Sequence, residues 1–152
     1  MTKAETIESV RGSFTILEKD LIAMPEDLFT KSFQGKSRSV ADIIFEINAV
    51  NDHIGATIRG ETPAPWPYEG FVTAPPDFQA KEVVIASLLA SRDRFMATID
   101  ALSEEDLLGT VQTERGPTTS SARCRFVANH NWYHSGQLNF IQTLSGDDGW
   151  NW

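Results

Sequence analysis

The sequence predicts an all-α fold: a four-helix bundle in one domain over residues 1–152, with a long crossover between its second and third helices. Three observations carry that expectation. Four segments repeat apolar residues at intervals of three and four, the period that lines one face of a helix. No segment shows a convincing alternating strand pattern. One connection is far longer than adjacent antiparallel helices need.

The first helix is expected from about residue 6 to 24, where Ile7, Val10, Phe14, Leu17 and Leu21 share a face and Pro25 ends the run. The second is expected from about residue 39 to 59. Ser39 and Asp42 open it as a capping box in which Asp replaces the usual Glu or Gln. Val40, Ile43, Ile44, Ile47, Val50, Ile54 and Ile58 form its stripe, and Gly60 is placed to stop it. The third is expected from about residue 80 to 102, with Val84, Leu88, Phe95, Ile99 and Leu102 inward. Ser103 then caps a short acidic turn, Glu104-Glu105-Asp106, and a polar loop with Gly109, Gly116 and Pro117 follows. The fourth helix is expected from about residue 119 to 144, ending at Gly146.

The segment between Gly60 and Gln79 is rich in proline, and at ~3.1 Å per residue it easily crosses the ~30 Å length of a 20-residue helix. That reach makes helices two and three parallel. Trp66, Tyr68, Phe71 and Phe78 mark the segment as packed, because disordered linkers are poor in aromatics.

The bulk properties exclude several classes. No apolar run approaches the roughly 18 residues of a membrane span, and the start of the chain, MTKAETIESV, carries no apolar signal stretch. The one cysteine, Cys124, makes no internal disulfide, which fits a reducing compartment, so the expected location is the cytoplasm. A net charge of −8 without a basic stripe argues against nucleic acid as a partner. Expected partners are a small-molecule substrate and no membrane. A tail with Trp150 and Trp152 suggests an aromatic seal at a dimer interface or against the bundle.

The chemistry gathers at the histidines. His130 and His134 are spaced i, i+4, so on a helix they project from one face, one turn apart, within reach of one metal ion. At ~100° per residue His130 falls within the arc of Phe126, Val127, Tyr133, Ile141 and Leu144, while Asn131, Ser135, Asn139 and Gln142 fall on the opposite side, read as wet. A single buried imidazole is most often satisfied by a structural hydrogen bond; two stacked one turn apart are more simply explained by a shared cation.

Helix two offers a third ligand. Glu46 and His53 are seven residues apart and project within about 20° of each other, but roughly 10 Å apart along the axis, so one mononuclear site uses one of them. His53 is the better ligand by residue type, whereas Glu46 makes a His₂Glu set; either set suits Zn²⁺, Ni²⁺ or Fe²⁺. Asn51 and Gln137 are candidate outer partners of the ligands. Asn131 follows His130, so the His-Glu-x-x-His protease motif is absent, as are a Gly-x-Ser-x-Gly elbow and a Walker loop. Ser135 reads as a small surface residue. Cys124 stands between Arg123 and Arg125, which would favour its thiolate, but without a partner pattern it reads as structural.

The stretch HNWYHSGQLNFIQTLSG, beginning at His130, resembles the last-helix signature His-x-x-x-His-x-Gly-Gln of the DinB/YfiT-like superfamily of metalloenzymes. RSVADIIFEINAVNDHIG resembles the second-helix opening of that family. The resemblance implies an up-down-down-up bundle, often a homodimer, with a divalent metal held by three residues. Two carry over to His130 and His134. The helix-two ligand of the family follows the opening Ser by seven positions, which favours Glu46 over His53, although the residue there is not the usual histidine. Family members include thiol-dependent transferases and isomerases using low-molecular-weight thiols such as mycothiol or bacillithiol. The resemblance therefore implies a metal-dependent transferase acting on a small electrophile. The competing expectation is a non-catalytic stress-response or binding bundle whose metal is structural or absent.

Overall fold

The computed structural model describes residues 1–151; Trp152, half of the tail pair singled out above, lies outside the described residues. Among the described residues five α-helices are formed: α1 (Lys3–Ala23), α2 (Val40–Ile58), α3 (Lys81–Asp100), the short α4 (Glu104–Leu108) and α5 (Ser120–Leu144). A hairpin of β1 (Thr110–Thr113) and β2 (Gly116–Thr119) separates α4 from α5.

Local chemistry fixes the helix starts. Thr2 with Glu5, Ser39 with Asp42 and Ser103 with Asp106 each complete a reciprocal capping box. Asp thus serves where Glu is usual. Asp42 has a further role: its Oδ2 accepts from Ser39 N at 3.0 Å, and its Oδ1 accepts from Ala74 N at 2.8 Å. The cap of α2 therefore also pins the end of the crossover.

Side-chain pairs along the helices give their directions. Asn48 bonds Ser87 and Asn51 bonds Ser91, so α2 and α3 advance together and are parallel. Ser13 pairs with Asn131 and Asp20 with Ser135, so α1 and α5 are parallel too. Lys3 Nζ donates to the carbonyls of Asp100 and Leu102, while Lys81 Nζ donates to those of Ile22 and Met24. Each end of α1 thus meets the opposite end of α3, and the order is up-down-down-up.

The parallel α2–α3 pair requires the crossover, and its aromatics hold it down. Tyr68 and Phe78 pack edge-on to Phe45, Trp66 packs on Tyr68 and His53, and Val72 and Ala74 are buried. One core runs through the bundle, filled by Phe14, Leu17, Leu21, Ile43, Ile44, Ile47, Ile54, Leu88 and Ile99. Each such side chain contributes about 1.5–3 kcal/mol by burial.

Two expectations fail. The polar loop after α4 is a hairpin, with Thr113 paired to Gly116 across its tip and Gly116 at φ 102°. Its strands are four residues long, too short for alternation to register, and a glycine in the left-handed region supplies the turn. The faces of α5 also differ in part from the expectation, although Val127, His134 and Ile141 are buried as expected. Asn131, Ser135 and Gln142 are buried, whereas Phe126, Tyr133 and Leu144 are exposed. The reason is that α1 presents Ser13 and Asp20 to Asn131 and Ser135, and Asp147, Gly149 and Asn151 meet Gln142, so these polar side chains are satisfied away from water. Ser135 is accordingly an interior residue and not a surface one.

Candidate metal centre

Glu46 lies near the middle of α2, on the side turned toward α5, where His130 and His134 stand one turn apart. Glu46 Oε1 is 3.6 Å from the Nε2 atom of each histidine, and the two Nε2 atoms are 3.0 Å apart. His134 is fully buried; His130 lies at the rim of the bundle under the ring of Phe126, which stacks on it at 5.8 Å.

The hydrogen bonds select the tautomer of His134. Gln137 Oε1 accepts from Arg38 Nη2 at 3.1 Å, which identifies that atom as the amide oxygen. The same oxygen lies 2.8 Å from His134 Nδ1, so Nδ1 carries the proton. His134 Nε2 is left with its lone pair directed at Glu46 and His130. Gln137 Nε2 is anchored in turn on Tyr133 Oη at 3.1 Å.

Arg38 ties the site together from outside. Its Nη1 pairs with Glu46 Oε2, leaving Oε1 to face the histidines. Its guanidinium also lies over the ring of Phe71 at 4.8 Å, so the crossover covers the pair. Burial alone would raise the Glu46 carboxyl, but its contacts with His130 and His134 and the charge of Arg38 outweigh that and hold it well below the usual carboxylate range. His134 is shifted down, chiefly by burial, and so stays neutral more readily than a free imidazole. The chemistry offered is one ionised oxygen and one fixed imidazole lone pair, with the Nε2 atom of a second imidazole beside them.

That donor set fits a divalent cation. Bonds of about 2.0–2.2 Å from one ion place its ligand atoms roughly 2.8–3.6 Å apart, which spans the separations found here. Glu46, His130 and His134 are the group of three acidic or imidazole side chains found within reach of one ion among the described residues. His130 Nδ1 is buried with no hydrogen-bond partner, so the imidazole pair is not closed by protein contacts alone.

The other sequence candidates lie elsewhere. His53 packs edge-on to Trp66 and lines a separate cleft. Asn51 is buried and donates to Ser91 of α3, with no bond to the triad. Cys124 is buried at the base of α5, and burial pushes its thiol up to about 12 despite the flanking arginines. Sequence reasoning missed Arg38, which precedes its helix and so belongs to no periodic pattern. It also missed Asp20 with Ser135 and Asn139, a buried polar set behind the site that only packing creates.

The family model described as the DinB superfamily matches residues 11–138. Solved structures of similar fold include the colibactin self-resistance protein ClbS in complex with a dsDNA, with TM-score 0.73 and 22% identity over 93% of this chain and 96% of that one. A conserved protein from Enterococcus faecalis has TM-score 0.73 and 17% identity over 95% of this chain and 97% of that one. A mycothiol-dependent maleylpyruvate isomerase has TM-score 0.68 and 14% identity; the match covers 91% of this chain but 61% of the isomerase. At these identities the likeness is one of fold. No match to a curated protein is found. The ClbS complex corrects the exclusion of nucleic acid drawn from net charge: a protein of this fold carries duplex DNA, and an overall charge says nothing about the local field of one face. No helix among the described residues is long and apolar enough to cross a membrane.

Proposed function

We propose that this chain, which belongs to the DinB superfamily, is a metal-dependent enzyme in which Glu46, His130 and His134 hold a divalent cation, Zn²⁺, Ni²⁺ or Fe²⁺. The observation that carries the proposal is the convergence of three donor atoms from two helices, 3.0–3.6 Å apart. Three protein ligands leave room for an exogenous one. The cation, when bound, would lower the pKa of a thiol or water beside it and so favour a nucleophile at neutral pH.

The chain's own residues do the rest. Arg38 fixes Glu46 and screens its second oxygen. Gln137 holds His134 in the tautomer whose lone pair faces the site. Phe126, stacked on His130, and Tyr133, edge-on to His134, limit access of water to the imidazoles. The mycothiol-dependent isomerase of similar fold supports a low-molecular-weight thiol as co-substrate and transfer to a small electrophile as the reaction class. A homodimer in the cytoplasm completes the proposal. Its supports are the exposed Tyr133, Phe140 and Leu144 on α5 and the single, buried cysteine.

The test is metal content by mass spectrometry on tag-free protein. Near-stoichiometric metal, lost in Glu46→Ala, His130→Ala and His134→Ala but kept in His53→Ala, is the expected result. A metal-free wild type that gains no thermal stability from added Zn²⁺, Ni²⁺ or Fe²⁺ would overturn it. The ClbS complex supports duplex DNA as a second kind of partner. Fluorescence anisotropy with a labelled duplex at low salt tests that reading; an absence of saturation ends it.

A further inference from the structure

A cleft of about 860 Å³ runs beside the triad, between α2, the crossover, the β1–β2 hairpin and the first turns of α5. Two guanidinium groups line it, from Arg115 at the hairpin tip and Arg123 on α5. Neither makes an ion pair among the described residues. Arg123 Nε is buried with no hydrogen-bond partner, although a buried charged donor is costly to leave unmatched. Burial, and then the like charge of Arg115, both push the Arg123 guanidinium below its ordinary value. Two cations that line one cleft and make no ion pair would be relieved by an anion between them.

The remaining lining narrows what that anion is attached to. Glu61 also reaches the cleft but is committed to Arg59 at 2.7 Å; Glu114 sits beside Arg115 at the hairpin tip. The other walls include the rings of Trp66 and Phe126, and Arg123 lies 5.6 Å from the centroid of Phe126. Phe126 in turn stacks on His130, so the cleft and the triad share a wall one ring thick. Trp66 lines both this cleft and the groove that contains Glu46.

We propose that this cleft binds a small molecule carrying an oxyanion, a carboxylate or a phosphate monoester, on a flat apolar body, with Arg123 and Arg115 taking the charge and Trp66 and Phe126 the body. The assignment deepens the proposed function by giving the charge of its substrate, and it rests on that reading only for the word substrate; binding itself needs no metal. Arg123 supplies a planar fork suited to two oxygens, and Arg115 adds a second, exposed charge from the hairpin.

Isothermal titration calorimetry on the tag-free full chain tests the proposal with three probes: phenylacetate, phenyl phosphate and the neutral phenylacetamide. Either anion should saturate below about 10 mM and bind at least about tenfold more tightly than the amide. Saturation by one anion alone identifies whether the oxyanion is carboxylate or phosphate. Arg123→Gln should weaken binding about tenfold or more with metal content unchanged, and Arg123→Lys should lose less. Arg115→Gln, an exposed change that leaves the bundle intact, should weaken it a few-fold. His134→Ala should keep anion binding while losing metal, so a failure of the metal reading leaves this one standing. Equal binding of the amide, no saturation by either anion, or undiminished affinity in both Arg123→Gln and Arg115→Gln would overturn it.

Discussion

Ser135 Oγ on α5 donates a hydrogen bond to Asp20 Oδ2 on α1 at 2.8 Å, and both side chains are removed from solvent. Asn139 reaches the same oxygen at 3.3 Å, while Asp20 Oδ1 is buried with no partner. A carboxyl group thus lies inside the bundle with half of its hydrogen-bonding capacity met.

This arrangement makes stability depend on pH. Burial raises the Asp20 carboxyl above its ordinary 3.8, and the bonds from Ser135 and Asn139 offset only part of that. Below 3.8 both folded and unfolded chains hold the proton, and the group adds no penalty. As pH rises through the interval up to the folded value, the unfolded state releases its proton first, so stability is lost across that window. Asp20→Asn has no such proton, and its stability relative to wild type should rise as the pH increases above 3.8. Urea denaturation across that range checks this, and parallel curves for the two proteins would contradict it.

The polar side chains buried along α5 lead to an unusual substitution pattern. Asn131→Ala removes the bond to Ser13 and opens a small buried gap, and it should cost about 1–3 kcal/mol. Phe140→Ala, on the outer face, should change the stability of the monomer by no more than about 0.5 kcal/mol. Denaturant midpoints at low protein concentration compare the two. A larger loss for the phenylalanine would contradict the placing of Phe140 on the outer face.

Gln137 should matter to metal affinity without being a ligand. It fixes the His134 tautomer and is itself held by Arg38 and Tyr133. Gln137→Ala should weaken metal binding about 10–100-fold in competition with a chelator while leaving the stoichiometry intact. Unchanged affinity would show that burial alone orients the imidazole.

Cys124 should behave as a core residue. With its thiol pushed up to about 12 and no exposure, it should resist a disulfide reagent at neutral pH in the folded protein and react at once in urea. Fast labelling of the native chain would place it in a mobile or accessible setting.

The sequence was informative where a signal is local or periodic. The apolar stripes of α1, α2 and α3 repeat over several turns, so their helices and most of their core residues were legible. The capping residues Ser39 and Ser103, the stop at Gly60 and the i, i+4 histidines are also short-range patterns. The crossover was legible from its length and aromatics, because chain reach alone decides that parallel helices need such a link. The α5 stripe misled in part because Asn131, Ser135 and Gln142, each matched to a polar partner that only packing supplies, share the interior with Val127, Leu138 and Ile141.

By itself, then, the sequence determined the helices, their caps, the parallel pair and the histidine spacing, since each follows from forces acting within a turn or along one connection. Packing alone decided the rest. Whether Glu46 or His53 meets the histidines depends on the axial register of α2 against α5; the family resemblance favoured Glu46, but helix geometry alone does not separate two residues on one face two turns apart without the facing helix. The partnership of Arg38 with Glu46 and Gln137, and that of Asp20 with Ser135, join residues distant in the chain. Their energies arise only when burial removes water, and no local pattern encodes that.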